Sequence, residues 1–226
     1  MPNLLEAIEV ETDKNPAASV IWMHGLGADG NDFVPVVNEL DLSGAPAVRF
    51  VFPHAPMRAV TINNGYVMRA WYDVSFEDLA GKSRRADESG VRESQAQIEA
   101  LIERETARGI APGRVILAGF SQGGAIALQT GLCHAEQLAG IMALSTYLPL
   151  ADGFPQEAAP ANKATPIFMA HGVFDPVVPY AMGVGSMTYL TGLGYHTEWH
   201  EYPMQHSVCP EEIQDIGAWL RKVLKA

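Results

Sequence analysis

The chain has 226 residues, of which 48% are hydrophobic and 18% are charged, and it carries a formal net charge of −11. This composition excludes an intrinsically disordered chain. The negative charge argues against binding to nucleic acid or to an anionic lipid surface, because both interactions require clustered Lys and Arg. The length suits one domain that buries roughly 70% of its unfolded surface, so we expect a single domain over residues 1–226.

The sequence also bears on the compartment. Residues 1–13 lack the basic and apolar segments of a signal peptide, and no stretch approaches the roughly 20 apolar residues of a membrane span. Cys133 and Cys209 are the only cysteines, too few for a disulfide framework. We therefore expect a cytoplasmic protein with two free thiols and no stable membrane insertion.

Short apolar runs alternate with helical patterns along the chain. The predicted strands are residues 19–23, 48–52, 114–120, 140–145, 166–170 and 197–202. The first five are almost continuously apolar, which is typical of parallel strands that helices cover on both faces. The sixth is more polar, as an edge strand would be. The sequence therefore predicts an α/β fold with a mostly parallel sheet.

Three helices are predicted between and after these strands, at residues 88–108, 121–132 and 210–225. The first has an apolar stripe and ends at Gly109, and the last has acidic residues in its first turn and basic residues in its last. Residues 53–87 and 151–165 fit neither pattern. We interpret residues 53–87 as a lid or pocket wall and residues 151–165 as a surface loop.

The sequence Gly119-Phe120-Ser121-Gln122-Gly123 has the pattern G-x-S-x-G at the junction of a predicted strand and a predicted helix. A sharp turn there exposes the serine, and the two glycines leave room for the crossing backbones. The N-terminus of the helix favours developing negative charge. The motif therefore predicts Ser121 as a nucleophile, and the alternative is a tight turn in which Ser121 caps the helix.

A serine nucleophile needs a histidine base, and in hydrolases of this kind the chain order is serine, acid, histidine. His206 lies between the last predicted strand and the last helix, in a loop at the carboxyl edge of the sheet, so we predict that it is the base. The other histidines after Ser121 fit less well; they are His134, His171, His196 and His200. His196 and His200 would lie roughly 13 Å apart on a strand, too far to share a metal ion.

The acid should follow a strand between the serine and the base. Asp175 follows the fifth predicted strand, and Pro176 favours an extended backbone before it, which suits a loop carboxylate that orients His206. The oxyanion of an acyl-transfer intermediate needs two donors. We predict the backbone N–H groups of Gln122 and of Leu26, the latter in a glycine-flanked loop after the first strand.

An apolar acyl chain needs an apolar wall. We predict Trp71 as this wall, because the long segment 53–87 offers little regular structure to bury an indole. The alternative is that Trp71 belongs to the core.

Several segments resemble the carboxylesterase/phospholipase family of α/β-hydrolases, which includes bacterial carboxylesterases and acyl-protein thioesterases. They are residues 24–29 (HGLGAD), 52–56 (FPHAP), 70–73 (AWYD), 119–124 (GFSQGG), 171–172 (HG), 175–179 (DPVVP) and 206–213 (HSVCPEEI). The resemblance implies an α/β-hydrolase fold, the triad Ser121, Asp175 and His206, oxyanion amides at Leu26 and Gln122, an acyl pocket near Trp71, no cofactor, and homodimers in some members. The short chain leaves no room for a large cap domain.

The chain departs from the family at Gln205, where glycine is usual, and at Val173-Phe174, where a more polar pair is usual. These differences bear on the substrate range rather than on the reaction class.

The sequence thus predicts a serine carboxylesterase that hydrolyses short- to medium-chain acyl esters through an acyl-enzyme intermediate, with no metal and no cofactor. One alternative is an acyl-protein thioesterase or lysophospholipase with the same triad. The others are a hydrolase with Cys209 as nucleophile and a non-catalytic, hydrolase-like binding module. The expected partner is a small-molecule ester or thioester.

Overall fold

The computed structural model describes residues 4–79 and 87–225. These residues form, in chain order, β1 (Ala7–Glu11), β2 (Ala18–Met23), β3 (Val48–Pro53), β4 (Met57–Val60), β5 (Tyr66–Arg69), α1 (Phe76–Leu79), α2 (Glu88–Ala107), β6 (Val115–Phe120), α3 (Gln122–Cys133), β7 (Gly140–Leu144), α4 (Phe154–Glu157), β8 (Ile167–Gly172), α5 (Tyr180–Gly192), β9 (Thr197–Tyr202) and α6 (Pro210–Leu224). Short 3₁₀ turns lie at Val34–Asn38, Thr61–Asn63, Pro112–Arg114 and Pro160–Asn162.

A seven-stranded sheet with the order β1-β3-β2-β6-β7-β8-β9 organises the molecule. Neighbouring strands pair in parallel except at one edge, where β1 pairs with β3 in the antiparallel sense. The six predicted strands are confirmed as β2, β3 and β6 to β9, and β9 lies at the edge that its polar pattern indicated. The parallel register brings the carboxyl ends of these strands together along one side of the sheet, which we call its carboxyl edge.

Helices cover both faces of the sheet, as predicted. On one face, α2 and α3 pack with α5 against alternate residues of the strands, including Ile21 and Leu117. On the other face, α6 packs against the intervening residues, including Trp22 and Ala118. The predicted α/β-hydrolase fold is confirmed, and the described residues contain no cap domain over the sheet.

The charge pattern of α6 explains why this helix forms at the end of the chain. Glu211 lies in its first turn and Arg221 and Lys222 lie in its last, and both arrangements interact favourably with the helix dipole. Its apolar stripe, which includes Ile216 and Leu220, is fully buried. The prediction for residues 210–225 is therefore confirmed to within a residue.

The two unassigned segments contain more structure than the sequence predicted. Residues 53–87 include the antiparallel hairpin of β4 and β5 and the short helix α1, and residues 80–86 lie outside the described range. The interpretation of residues 151–165 as a surface loop is wrong in part. Phe154 and Thr165 are fully buried, and the Asn162 side chain accepts a hydrogen bond from Leu138 N–H at 2.9 Å. The segment is therefore anchored to the core by buried side chains and by the hydrogen bonds of its polar groups.

Within residues 4–79 and 87–225, no helix is both long and apolar enough to cross a membrane.

Candidate active site

Ser121 lies at the sharp turn between β6 and α3. Its backbone angles are φ 55° and ψ −121°, a conformation that is strained for a residue with a Cβ. The neighbouring segment holds the turn: Ser121 N–H donates to Leu144 O at 2.8 Å, and Thr146 Oγ1 donates to Ser121 O at 2.6 Å. The turn therefore has the geometry of the serine elbow that the motif predicted.

The two motif glycines are required by close packing. A Cβ on Gly119 would lie 2.2 Å from the backbone of Gly123, and a Cβ on Gly123 would lie 2.3 Å from Met23 O. Neither contact is possible without moving the backbone. Gly119 thus lets the start of α3 fold back on the end of β6, and Gly123 lets it approach the end of β2.

The structure brings Asp175 and His206 together from two different loops. Asp175 follows β8 and His206 lies between β9 and α6, and His206 Nδ1 donates to Asp175 Oδ2 at 2.6 Å. The Asp175 carboxylate is fully buried, whereas the His206 ring is 15% exposed. Because Nδ1 carries the donated proton, a neutral His206 keeps the lone pair of Nε2 available to accept another.

Three further groups hold the Asp175 carboxylate. Its Oδ1 accepts hydrogen bonds from the N–H groups of Val177 and Val178 at 2.8 and 2.9 Å. His171 Nε2 lies 3.4 Å from Oδ2 and donates to Val178 O at 3.0 Å. Burial alone raises the pKa of Asp175, but its contacts with His171 and His206 outweigh it and hold the pKa well below its ordinary value. The carboxylate therefore stays ionised beside the His206 ring.

Ser121 and His206 line one cavity of about 340 Å³. The Phe120 ring packs against the His206 ring with 4.6 Å between centroids. Ser121 Oγ and His206 form no hydrogen bond with each other, and contacts of this kind often shorten only when substrate binds. The other lining residues are Gly25, Leu26, Ala28, Asp32, Ile62, Asn63, Tyr72, Val74, Gln122, Tyr147, Val177 and Val178.

The two predicted oxyanion residues, Leu26 and Gln122, also line this cavity. Among the described residues, neither amide donates a hydrogen bond to another protein group. Gln122 is the first residue of α3, where a backbone N–H has no partner within the helix. Both N–H groups are therefore available to an oxygen atom placed beside Ser121.

The loop that carries Leu26 is held by His24, which is almost fully buried. Its Nδ1 donates to Gly25 O at 2.7 Å, and its Nε2 accepts from Ala55 N–H at 3.1 Å. Burial lowers the pKa of His24 to about 4, so the ring is neutral at physiological pH. A neutral ring is required for Nε2 to accept the Ala55 hydrogen bond.

The structure corrects the prediction for Trp71. Its indole is fully buried in the core that α2 and α3 share, and it does not line the cavity. The helices α2 and α3 provide the packing that the sequence pattern did not reveal. The neighbouring residues Tyr72 and Val74 line the cavity instead.

The remaining histidines lie away from the cavity. His134 caps the far end of α3 and contacts Glu99 at 2.7 Å, and His200 lies on β9 stacked on Phe168. His196 is an exposed residue just before β9. His171 donates to Val178 O, and its contact with Asp175 was not predicted from the sequence.

Sequence reasoning also missed Tyr147 and Val178, which line the cavity. Tyr147 follows β7 and Val178 follows β8, so both lie at the carboxyl edge of the sheet, where sites in such folds form. The Tyr72 hydroxyl donates to the Tyr147 hydroxyl at 3.1 Å. Their position after apolar strands was the signal that could have found them.

The fold, the strained serine turn and the Asp–His pair at one edge of the sheet together define a class of protein. The chain is a serine hydrolase with the α/β-hydrolase fold.

Comparisons with known proteins identify the family. Residues 5–224 match the model of the phospholipase/carboxylesterase family, and the chain belongs to that family of carboxylic ester hydrolases. Acyl-protein thioesterase 1 of Cryptococcus neoformans is 37% identical over all of both chains. Acyl-protein thioesterase 1 of Neurospora crassa is 42% identical over 92% of this chain and 87% of its own length. The crystal structure of Arabidopsis thaliana SOBER1 superposes with a TM-score of 0.86 at 33% identity, covering 92% of this chain and 99% of that chain.

Proposed function

We propose that the protein hydrolyses acyl thioesters, with S-acylated cysteine in a protein or peptide as the substrate class, and that Ser121 is its nucleophile. The observation that carries the proposal is the cavity that Ser121 and His206 share, with Asp175 bonded to His206 at 2.6 Å. The acyl-protein thioesterases that match nearly the whole chain support a thioester over the simple oxyester that the sequence suggested.

In the first half of the reaction, Ser121 Oγ attacks the acyl carbon while His206 Nε2 accepts the hydroxyl proton. The carbonyl oxygen becomes an oxyanion, which receives hydrogen bonds from the N–H groups of Leu26 and Gln122. When the intermediate collapses, the bond from carbon to sulfur breaks and the protonated His206 gives its proton to the thiolate. Asp175 stays ionised throughout and stabilises the charged ring.

In the second half, His206 accepts a proton from water as the water oxygen attacks the acyl-Ser121 carbon. A second oxyanion forms at the same two amides. Its collapse breaks the ester bond to Ser121 Oγ, and His206 returns the proton to that oxygen. The products are a carboxylic acid and free enzyme, so the cycle needs no group that the protein lacks.

The cavity lining supports an acyl chain of limited length. Ile62, Val74 and Val178 present apolar surface, and Tyr72 and Tyr147 also line the cavity. A volume of about 340 Å³ is at the small end of ligand pockets, which span roughly 300–1,000 Å³. This size favours short and medium acyl chains and supports a second candidate function, a carboxylesterase for small oxyesters.

A matched substrate series separates the two candidates. One peptide sequence carries each acyl group, from two to sixteen carbons, on either a cysteine or a serine, and each enzymatic kcat/KM is divided by the rate of uncatalysed hydrolysis. We expect the thioester to be preferred by about 10-fold or more at the best chain length. A 10-fold preference corresponds to about 1.4 kcal/mol of differential transition-state binding. Equal or greater preference for the oxyester would assign the carboxylesterase function, and a lysophospholipid in parallel tests the remaining substrate class.

A further inference from the structure

Trp71 makes hydrogen bonds in three directions from one buried position. Its indole Nε1 donates to His24 O at 2.8 Å, and its backbone N–H donates to Gln122 Oε1 at 3.1 Å. Its carbonyl accepts a hydrogen bond from Ser94 Oγ of α2. The indole of Trp71 is fully buried, and its N–H uses a backbone acceptor rather than another side chain.

Two of these bonds end beside the two predicted oxyanion amides. His24 O precedes the Gly25-Leu26 peptide, in the loop that carries one amide. Gln122 carries the other amide, and its side chain also donates from Nε2 to Tyr72 O at 2.8 Å. The Gln122 side chain thus bridges the backbones of Trp71 and Tyr72, while the Trp71 side chain reaches the loop after β2.

The two amides belong to elements that are far apart in sequence and only close-packed in space. The position of a Gly123 Cβ would be 2.7 Å from His24 O, so the first turn of α3 lies directly on the loop that Trp71 contacts. The His24 and Trp71 rings also pack together, with 5.4 Å between centroids. A displacement of either element would change the separation of the two amides.

We propose, on the basis of the proposed function, that Trp71 is a positioning residue that fixes the Leu26 and Gln122 amides relative to each other, through its indole N–H on one side and the Gln122 side chain on the other. Trp71 itself touches no reacting atom. Catalysis depends on it because oxyanion donors act only when they are preorganised at the oxygen that develops charge.

The test uses Trp71→Phe, which keeps an aromatic ring and removes the indole N–H, and Gln122→Met, which keeps the backbone amide and removes the side-chain bridge. We expect each change to lower kcat by about 10- to 100-fold, less than the 10²–10³-fold loss of an oxyanion donor itself, because the amide is displaced and not deleted. KM should stay within about twofold. The affinity for a trifluoromethyl ketone, whose adduct places an oxyanion at the two amides, should fall by the same factor as kcat/KM.

Trp22→Phe is the matched control. Trp22 is equally buried, but its indole Nε1 has no partner among the described residues, and it packs on the opposite face of the sheet. We expect this variant to lose stability like Trp71→Phe while its kcat stays within about twofold of wild type. The pH dependence of kcat should keep its shape in all three variants, because none of them touches Asp175 or His206.

Several outcomes would overturn the proposal. One is a Trp71→Phe enzyme that loses only stability and keeps wild-type kcat per folded molecule. Another is an equal loss of kcat in Trp22→Phe. If Trp71→Phe does not fold, unchanged kcat and ketone affinity in Gln122→Met decide against the proposal. Ser121→Ala in the same assay separates a failure of the proposed function from a failure of the positioning role. Turnover that persists in Ser121→Ala contradicts the proposed function and not the role of Trp71.

Discussion

The two halves of the candidate site are held in different ways. The oxyanion half, formed by the loop after β2 and the start of α3, is fixed from the core by hydrogen bonds between buried side chains and the main chain, and by glycines in backbone contact. The acid–base half lies on loops after β8 and β9, whose side chains include the exposed Phe174 at 66% and Val177 at 47%. There the N–H groups of Val177 and Val178 and the His206 ring all donate to the Asp175 carboxylate.

The oxyanion half is thus positioned by packing, and the acid–base half is positioned by charge. Fixed dipoles aimed at a developing charge must not reorient, and close-packed backbone satisfies this requirement. A base must instead exchange protons, so it needs a partly exposed ring held by one strong, charge-assisted bond. The comparison predicts that single side-chain changes act most strongly on the acid–base half, whereas the oxyanion half is sensitive to changes that move backbone.

The largest effect is expected for the acid–base half. His206→Asn removes the base, and Asp175→Asn removes the charge that fixes its tautomer, so each should lower kcat by about 10³- to 10⁴-fold with little change in KM. Steady-state kinetics with an activated ester measure both effects. His200→Asn is the matched control, since His200 lies on β9 outside the cavity lining, and it should stay within about twofold of wild type. An equal loss in that variant would contradict the assignment of the base.

A smaller effect is expected when the backbone of the oxyanion half is moved. In Gly123→Ala the new Cβ would approach Met23 O, which lies 2.3 Å from its ideal position, and α3 must shift. We expect kcat to fall by about 100-fold, the scale of a displacement near 1 Å, together with a loss of stability. Gly185→Ala in α5 is the control, because its Cβ meets nothing within 4 Å. Wild-type kcat in Gly123→Ala would show that the two amides tolerate movement.

The contrast between Ser121 and Trp71 shows what the sequence could reveal. Ser121, Asp175 and His206 were predicted because each follows a predicted strand at a position that the fold order defines, and the structure places the last two in contact. Trp71 was assigned to the wrong environment because its burial depends on α2 and α3, which lie further along the chain. The hydrogen bond of its indole N–H ends on the backbone carbonyl of His24, which carries no sequence signal.

The missed elements have similar physical reasons. Helix α5 contains three glycines, at 183, 185 and 192, and only Gly183 and Leu190 are buried, so it has neither strong propensity nor a clear apolar stripe. The hairpin of β4 and β5 did have a signal. Asn64 and Gly65 both have positive φ, at 55° and 76°, as Asn-Gly pairs commonly do in hairpin turns.

The smallest effect on activity is expected at Glu212, which lies outside both halves of the site. This carboxyl is fully buried in α6, and burial raises its pKa from 4.5 to about 8 against the opposing effect of the Cys209 backbone N–H. In the folded protein it therefore keeps its proton in the range where the unfolded chain has lost it. The folded state then binds more protons, so Glu212 lowers stability progressively as pH rises from about 4.5 to about 8.

Glu212→Gln removes this dependence. We expect the Tm of the variant to exceed that of wild type by about 5 °C or more at pH 9, and the difference to shrink or reverse at pH 5, where Glu212 is neutral. Thermal unfolding at both pH values measures it, and kcat should stay within about threefold of wild type. A difference in Tm that is the same at pH 5 and pH 9 would mean that Glu212 is not protonated in the folded protein.

The most direct test of the central claim is to trap the covalent intermediate. A medium-chain acyl thioester is mixed with excess enzyme, quenched in acid within milliseconds, and followed by intact mass and peptide mapping. We expect a single adduct with the mass of the acyl group on the peptide that contains Ser121, and no adduct or turnover in Ser121→Ala. An adduct on Cys209 or another residue, or turnover that continues in Ser121→Ala, would contradict the account.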